Sequence, residues 1–432
     1  MATDGTGRSL WRADGRNAAQ LGTLGSVKKV ALPANLTFNP GADVNANLVA
    51  GRFTNSQGVA EDVLYFVAGA GNGQTALWRT NGQGTTEQIL SLTDRSIEAI
   101  PELPVNVNGT LYFVASVRET LQEDGVTGTR QRFVLYRSDG TASGTTEVQG
   151  VTNFRQIQRL TAIGNTLYFS GFDGVTGPNA TGEEVWRITS PGATPEVINV
   201  VPGGGGSLPR NFFGAPTPNG TEVYFVVTGS DRINRLWRLA PGTSQPALVT
   251  NGAVGTPRIV EDPNLDPFRA SPNFTFFNDQ IYFTAIGTSP NSTQLGGNIG
   301  QELWRINNGR VELVADLKPN TTSDFSSAPG QLTVVGSGAS ALLYFTADNG
   351  TSGVELWSYN GTGAPSLIEL NNTPILDINQ NPTGRTLGST PQNLTADEDG
   401  NLYFTASAPN LENTEIGLEL LAAQRRWNAN RV

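Results

Sequence analysis

Short apolar runs separated by Gly, Asn, Pro and Thr set the pattern of this chain, and residues 331–370 show it well. QLTVVGS, ALLYFTA, GVELWSY and APSLIEL read as four successive strands with a turn residue between each pair. Alternation in the second strand places Leu343 and Phe345 on one face and Tyr344 on the other. In the third, Val354 and Leu356 oppose Glu355 and Trp357. Both faces are partly apolar, so the sheet must be covered on both sides, as a blade stacked between two neighbours is.

The same two phrases recur along the chain. The first is Leu64-Tyr65-Phe66, Leu111-Tyr112-Phe113, Leu167-Tyr168-Phe169, Val223-Tyr224-Phe225, Ile281-Tyr282-Phe283, Leu343-Tyr344-Phe345 and Leu402-Tyr403-Phe404. Each is followed by the second: Leu77-Trp78, Leu135-Tyr136, Val185-Trp186, Leu236-Trp237, Leu303-Trp304, Leu356-Trp357 and a degraded Leu420-Leu421. An additional Leu10-Trp11 stands near the start with no Tyr-Phe before it. Successive Tyr-Phe pairs lie 47 to 62 residues apart, the length of a four-strand unit. The stretch between the phrases varies most, lengthening at DGVTGTRQR and SPNSTQLGGNIGQ, so the hairpin between the second and third strands absorbs insertions and can build a binding rim.

Composition narrows the chemistry. Charged residues are 15% of the chain, against roughly 25% in ordinary soluble proteins, and 51 Gly with 25 Pro point to many turns. The chain has no His and no Cys, which excludes disulfides, thiolate chemistry, His-containing metal sites and every Ser-His or Cys-His nucleophilic pair. A net charge of −10 disfavours nucleic acid and anionic lipid as partners. No apolar run approaches the ~20 residues that span a bilayer, so no membrane insertion is expected. MATDGTGRSL lacks the basic start and apolar core of a secretory signal, so export is expected by another route or from a processed end.

The residues SLWRADG (9–15), LYRSDGTASGTTEV (135–148) and ADNGTSGVELWSYNGT (347–362) closely resemble the bacterial ELWxxDGT-repeat proteins, with looser matches at 181–194, 234–243 and 301–309. The resemblance covers nearly the whole chain and implies a secreted or surface-attached bacterial product. It assigns no reaction. The Asp of the final turn is kept in two copies, and the last copy lacks its Trp. Taken with the four-strand period, the expected fold is all-β: a single β-propeller domain over 1–432 with about seven four-stranded blades. The blades fall near 40–95, 101–150, 154–200, 210–250, 270–317, 328–370 and 390–424, with N-terminal strands at 8–30. The N- and C-terminal strands are expected to share the closing blade, although Leu10-Trp11 then looks like one third strand too many.

Candidate chemistry is sparse. Trp78, Trp186, Trp237, Trp304 and Trp357 could stack on sugars, but their recurrence in register favours packing between blades. Asp397-Glu398-Asp399-Gly400 resembles part of a calcium loop, which makes Asp397 and Asp399 the candidate metal ligands and calcium the candidate cofactor. A hairpin turn between QNLT and NLYF explains the same residues. The Asp-Gly-Val-Thr-Gly stretches at Asp124 and Asp173, and the acceptor-like triplet Asn349-Gly350-Thr351, carry the same two readings. QRRWNANRV is a basic end on an acidic chain, and GLELLAAQ suits a helical turn as well as a strand. The function expected is a non-enzymatic extracellular or cell-surface structural protein. It would bind other copies or cell-surface components and self-assemble by N-terminal strand exchange. A glycan-binding propeller taking polysaccharide is the alternative, and a carboxylate-dependent glycoside hydrolase or lyase comes last.

Overall fold

Strand after strand, the apolar alternation of the repeat becomes an antiparallel meander. The computed structural model describes residues 2–3, 8–13, 27–34, 36, 48–55, 57–69, 75–91, 97–99, 104–123, 126–151, 154–175, 180–201, 205–229, 232–250, 258–259, 274–288, 298–307, 309–319, 326–409 and 415–423. Blade 1 consists of Val49–Thr54, Ala60–Gly69, Thr75–Thr80 and Thr86–Ser91. Blade 2 consists of Val105–Val107, Thr110–Glu123, Val126–Ser138 and Thr146–Glu147, with Ile97–Ala99 added beside its second strand. Blade 3 is Gln156–Ile163, Thr166–Phe172, Glu183–Ile188 and Glu196–Ile198, and blade 4 is Arg210–Thr217, Gly220–Thr228, Asn234–Leu239 and Pro246–Leu248. Blade 5 is Thr275–Phe277, Gln280–Thr288, Asn298–Asn307 and Arg310–Ala315, with Arg258–Ile259 also on its second strand. Blade 6 is Gly330–Val335, Leu342–Asp348, Val354–Tyr359 and Ser366–Ile368, the unit read from the sequence as residues 331–370. Among the described residues blade 7 shows three strands, Gln392–Ala396, Leu402–Pro409 and Glu415–Ala423.

The chain divides into two compact units, Met1–Phe212 and Phe213–Val432. In the first, residues of blades 1 and 2 form one apolar cluster (Phe53, Tyr65, Leu77 with Leu111, Phe113, Tyr136), and residues of blades 2 and 3 form the next. In the second, clusters join blades 4 and 5, 5 and 6, and 6 and 7. Within each unit, neighbouring sheets therefore pack face to face, which is the packing of propeller blades. Phe66, Phe113, Phe169, Phe225, Phe283 and Phe345 are fully buried, as the two-faced alternation requires.

Four of the recurring tryptophans are bonded into their own blades. Trp78, Trp304 and Trp357 are buried, and their indole N–H groups donate to the carbonyls of Ala68, Ala285 and Ala347 at 3.3, 2.9 and 3.0 Å. Trp186 donates likewise to Gly171 at 3.2 Å. The acceptor is always the small residue three places after the Tyr of the preceding strand, which leaves room for the indole.

Pairing between distant segments adds elements that the local pattern does not specify. GLELLAA is a strand, held by backbone pairing with Leu402–Pro409 rather than by its own propensity. The insertion at DGVTGTRQR lengthens the second hairpin of blade 2 into a ribbon, from Leu111 opposite Ser138 to Glu123 opposite Val126. An extra hairpin, Pro374–Leu376 with Pro382–Thr386, fills the connection before blade 7. Near the N-terminus Trp11–Ala13 pairs with Val27–Lys29 as a separate two-stranded sheet. Leu10, Val30 and Leu36 beside it pack on Phe66, Ala68, Ala76 and Trp78 of blade 1.

Candidate functional site

The Arg that follows Trp or Tyr in the second phrase works as an arm between blades. In register it stands opposite the Tyr of the first phrase: Tyr65 with Arg79, Tyr112 with Arg137, Tyr168 with Arg187, Tyr224 with Arg238 and Tyr282 with Arg305. Arg79 Nη1 donates to the Gly140 carbonyl in the last turn of blade 2 at 2.7 Å, and Arg305 Nη1 to that of Gly361 in blade 6 at 3.3 Å. Acidic partners fix the guanidinium: Glu87 for Arg79, Glu196 for Arg187, Glu222 for Arg238 and Glu312 for Arg305. The Arg79 guanidinium also lies 3.3 Å over the Phe53 ring. Gly140 has a φ of +93°, and a Cβ there would lie 2.7 Å from both Tyr65 Oη and Phe53 Cδ2. The glycine of the turn thus lets the neighbouring blade close over it.

The Glu of the second phrase is a buried latch. Glu184 accepts hydrogen bonds from Ser207 Oγ at 2.6 Å and from the backbone N–H of Val200 at 3.0 Å. Glu302 accepts from Ser327 Oγ and from the N–H groups of Leu317 and Ser327, both at 3.1 Å. Glu355 accepts from Ser389 Oγ and from Leu370 and Asn371 at 3.2 and 3.1 Å. Burial pushes the pKa of all three carboxyls up, that of Glu302 to about 8. Each Ser opens a Ser-x-Pro turn whose middle residue, Leu208, Ala328 or Thr390, has positive φ and donates its N–H to the carbonyl of the residue before the Glu. The latch therefore fixes where each following blade starts.

The junction between the N-terminal hairpin and blade 1 holds a groove beside its apolar contact. Among the described residues, Arg12 Cδ at 3.4 Å is the sole heavy atom within 4 Å of a Cβ placed on Gly82, the turn glycine of blade 1. Arg12 thus occupies the arm position, as Arg137 does beside Gly192 and Arg238 beside Gly309, and among the described residues no Tyr or Phe covers Gly82 as Tyr65 and Phe53 cover Gly140. The groove has a volume of about 730 Å³ and is lined by Trp11, Arg12, Glu61, Asp62, Asn81 and Gln83 among others. The comparable pocket between blades 2 and 3, beside Tyr112 and Arg137, is about 170 Å³. The larger volume lies within the range of binding clefts.

Sequence-predicted ligands occupy turns. Asp397 Oδ1 and Oδ2 accept from the backbone N–H and side-chain amide of Asn401 at 2.7 and 2.8 Å, and these bonds hold its carboxyl below the usual range. Asp399 lies in the same turn. No group of three or more metal-ligating side chains occurs among the described residues. Asp173 Oδ1 accepts from the Val175 N–H, and Asn349 Oδ1 from Thr351 and Ser352, both as turn-forming bonds. Asp124 and QRRWNANRV lie outside the described residues. No helix among the described residues is long and apolar enough to cross a membrane.

Neither a protein-family model nor a curated protein sequence matches this chain. Among solved structures, it is similar to a prolyl endopeptidase at 10% identity and a TM-score of 0.42, covering 87% of this chain and 48% of that one. This chain thus spans about half the length of the peptidase. It is also similar to the β-propeller domain of the Trilobed protease from Pyrococcus furiosus, at 10% identity and 0.35, covering 76% and 82% of the two chains. Likeness to an ulvan lyase of polysaccharide lyase family PL25 stands at 8% identity and 0.36, covering 91% and 95%.

Proposed function

We propose that the protein is a non-enzymatic interaction and assembly module acting outside the cell or at the bacterial surface, as its ELWxxDGT-like repeats suggest. One observation carries this reading: the groove beside the N-terminal hairpin, where a blade-like face is left partly uncovered. The placement of the repeat's reactive groups supports it. Glu184, Glu302 and Glu355 hold blade entrances, and Arg79 and Arg305 hold turns, so the recurring chemistry serves the packing of the blades. An exposed, incomplete sheet is a natural site for strand addition by a partner.

Electron microscopy of the protein from its native source, with and without a calcium chelator, tests the proposal. Filaments, lattices or defined oligomers are expected. Single compact particles in both conditions, together with cleavage of an envelope polysaccharide, would replace it with a hydrolase or lyase. Single particles that bind such a polysaccharide without cleaving it would replace it with a glycan-binding module.

A further inference from the structure

We propose that the side chains of Lys318 and Asp348 condense into an amide, a covalent cross-link between blades 5 and 6. The inference stands apart from the assembly reading, since both residues lie within the second compact unit and no partner takes part.

The choice of lysine is the first observation. Of the 28 basic residues only three are lysines, Lys28, Lys29 and Lys318. Lys28 and Lys29 are exposed, whereas Lys318 is buried. Arg79, Arg187, Arg238 and Arg305 carry the ion pairs described for the other blades, and a guanidinium suits a buried pair better than an ammonium does. What Lys alone offers is an amine that becomes nucleophilic once it loses its proton, a loss that apolar surroundings favour.

Geometry is the second. Lys318 follows the last strand of blade 5, and Asp348 ends the second strand of blade 6. Lys318 Nζ lies 2.7 Å from Asp348 Oδ2, with 8% and 22% of the two side chains exposed. The carboxyl carbon is one C–O bond beyond that oxygen, so the amine starts near the ~3–3.5 Å of a near-attack arrangement. Leu317 and Ala347, the chain neighbours of the pair, belong to the apolar cluster that joins the two blades with Phe345 and Trp357. The Glu302 latch ties both ends together. It accepts the N–H groups of Leu317 and Ser327, and the Ser327 carbonyl accepts the Asp348 N–H at 2.9 Å. The carboxyl of Asp316 accepts the backbone N–H of Lys318.

The reaction balances without a further reagent. One ammonium proton passes to Oδ2, leaving an uncharged amine and a carboxylic acid. The Nζ lone pair then forms the bond to Cγ, and Oδ1 takes up the negative charge, with the Gly350 N–H already donating to it at 2.7 Å. A second proton moves from the nitrogen to Oδ2, and the Cγ–Oδ2 bond breaks as that oxygen leaves in water with the electron pair. Ammonium plus carboxylate thus give amide plus water. A buried ion pair carries the desolvation cost of two charges and the amide carries none, so the junction favours the product. In a chain without cysteine, such a bond staples neighbouring blades where no disulfide can form.

The test is the intact mass of the denatured full chain, followed by chymotryptic mapping. The expected mass is lower than that of the sequence by one water. The map should hold a joined peptide that keeps Lys318 and Asp348 together although the chain is cut between them, after Phe325 and Phe345. Lys318→Arg keeps the charge pair but cannot make the amide, so it should show its full mass and no joined peptide. A parent chain at its full mass would overturn the proposal and leave Lys318 and Asp348 as a buried ion pair. A lost water without the joined peptide would place the dehydration elsewhere, as in an aspartyl succinimide, and would overturn it equally. Whether the protein forms filaments or single particles changes none of these readouts, so this inference and the assembly reading fail separately.

Discussion

Glu302 has no exposure to solvent, and its two oxygens receive two backbone N–H groups and the Ser327 hydroxyl. Desolvation nevertheless lifts its pKa from 4.5 to about 8, so the folded chain binds this proton more tightly than the unfolded chain does. Ser327 Oγ also lies 3.4 Å from the Gln301 carbonyl, so the hydroxyl can turn to donate there and accept from a protonated Glu302. The sign follows from linkage: this group's contribution is fully present below pH 4.5 and is lost as pH rises through about 8. Denaturant melts at pH 5 and pH 9 should differ by a few kcal/mol, on the order of 1.4 for each tenfold change in proton affinity, and Glu302→Gln should flatten most of that difference. An equal slope in the variant would show that Glu302 does not titrate in this window. Ser389→Ala removes the hydroxyl from the equally buried Glu355 and should cost about 1–3 kcal/mol; a melt matching the parent would contradict the latch. In the sequence, the Glu of this phrase reads only as the polar partner in an alternation. Its role becomes legible in the pairing of Glu184, Glu302 and Glu355 with Ser-x-Pro turns at Ser207, Ser327 and Ser389, 23, 25 and 34 residues on. Where Ala76 or Val134 stands instead, no such turn follows.

At the scale of elements, the blade positions can be read from the chain because period-two alternation and Gly or Asn turns are local signals. Blade 6 falls where QLTVVGS to APSLIEL places it. The ribbon in blade 2, the hairpin before blade 7 and the strand GLELLAA depend on cross-strand partners that no local window contains. The arms between blades are hidden for the same reason, since Arg79 and Gly140 are 61 residues apart. Arg79→Ala would remove the bond to Gly140, the pair with Glu87 and the stacking over Phe53, leaving a buried carbonyl without its donor. A loss on the order of 2–4 kcal/mol is expected, read as a drop in melting temperature, with Arg79→Lys recovering little because it lacks the planar fork. Trp357→Ala tests the element from its apolar side. It deletes an indole packed on Phe345 and bonded to Ala347, and should cost about 3–5 kcal/mol. A melting temperature near that of the parent would mean that the aromatic stack contributes little.

For the whole molecule, the question is how the first and last sheets are completed, since among the described residues neither shows four strands. The surplus Leu10-Trp11 is visible in the sequence, but the groove beside Gly82 is not, because it depends on packing between segments distant in the chain. The hairpin also has a plain structural task, covering Phe66, Ala68, Ala76 and Trp78. Removing residues 1–30 should therefore do two things at once. It uncovers an apolar face on blade 1, so the truncated chain should melt lower and bind a hydrophobic dye such as ANS. It also removes the strand offered to another copy, so ordered assembly should stop even if nonspecific aggregation increases. Dye binding together with the loss of ordered assembly would place the hairpin in both roles. Ordered assembly surviving the truncation would locate the contact elsewhere on the blades and leave the hairpin as a cover for blade 1.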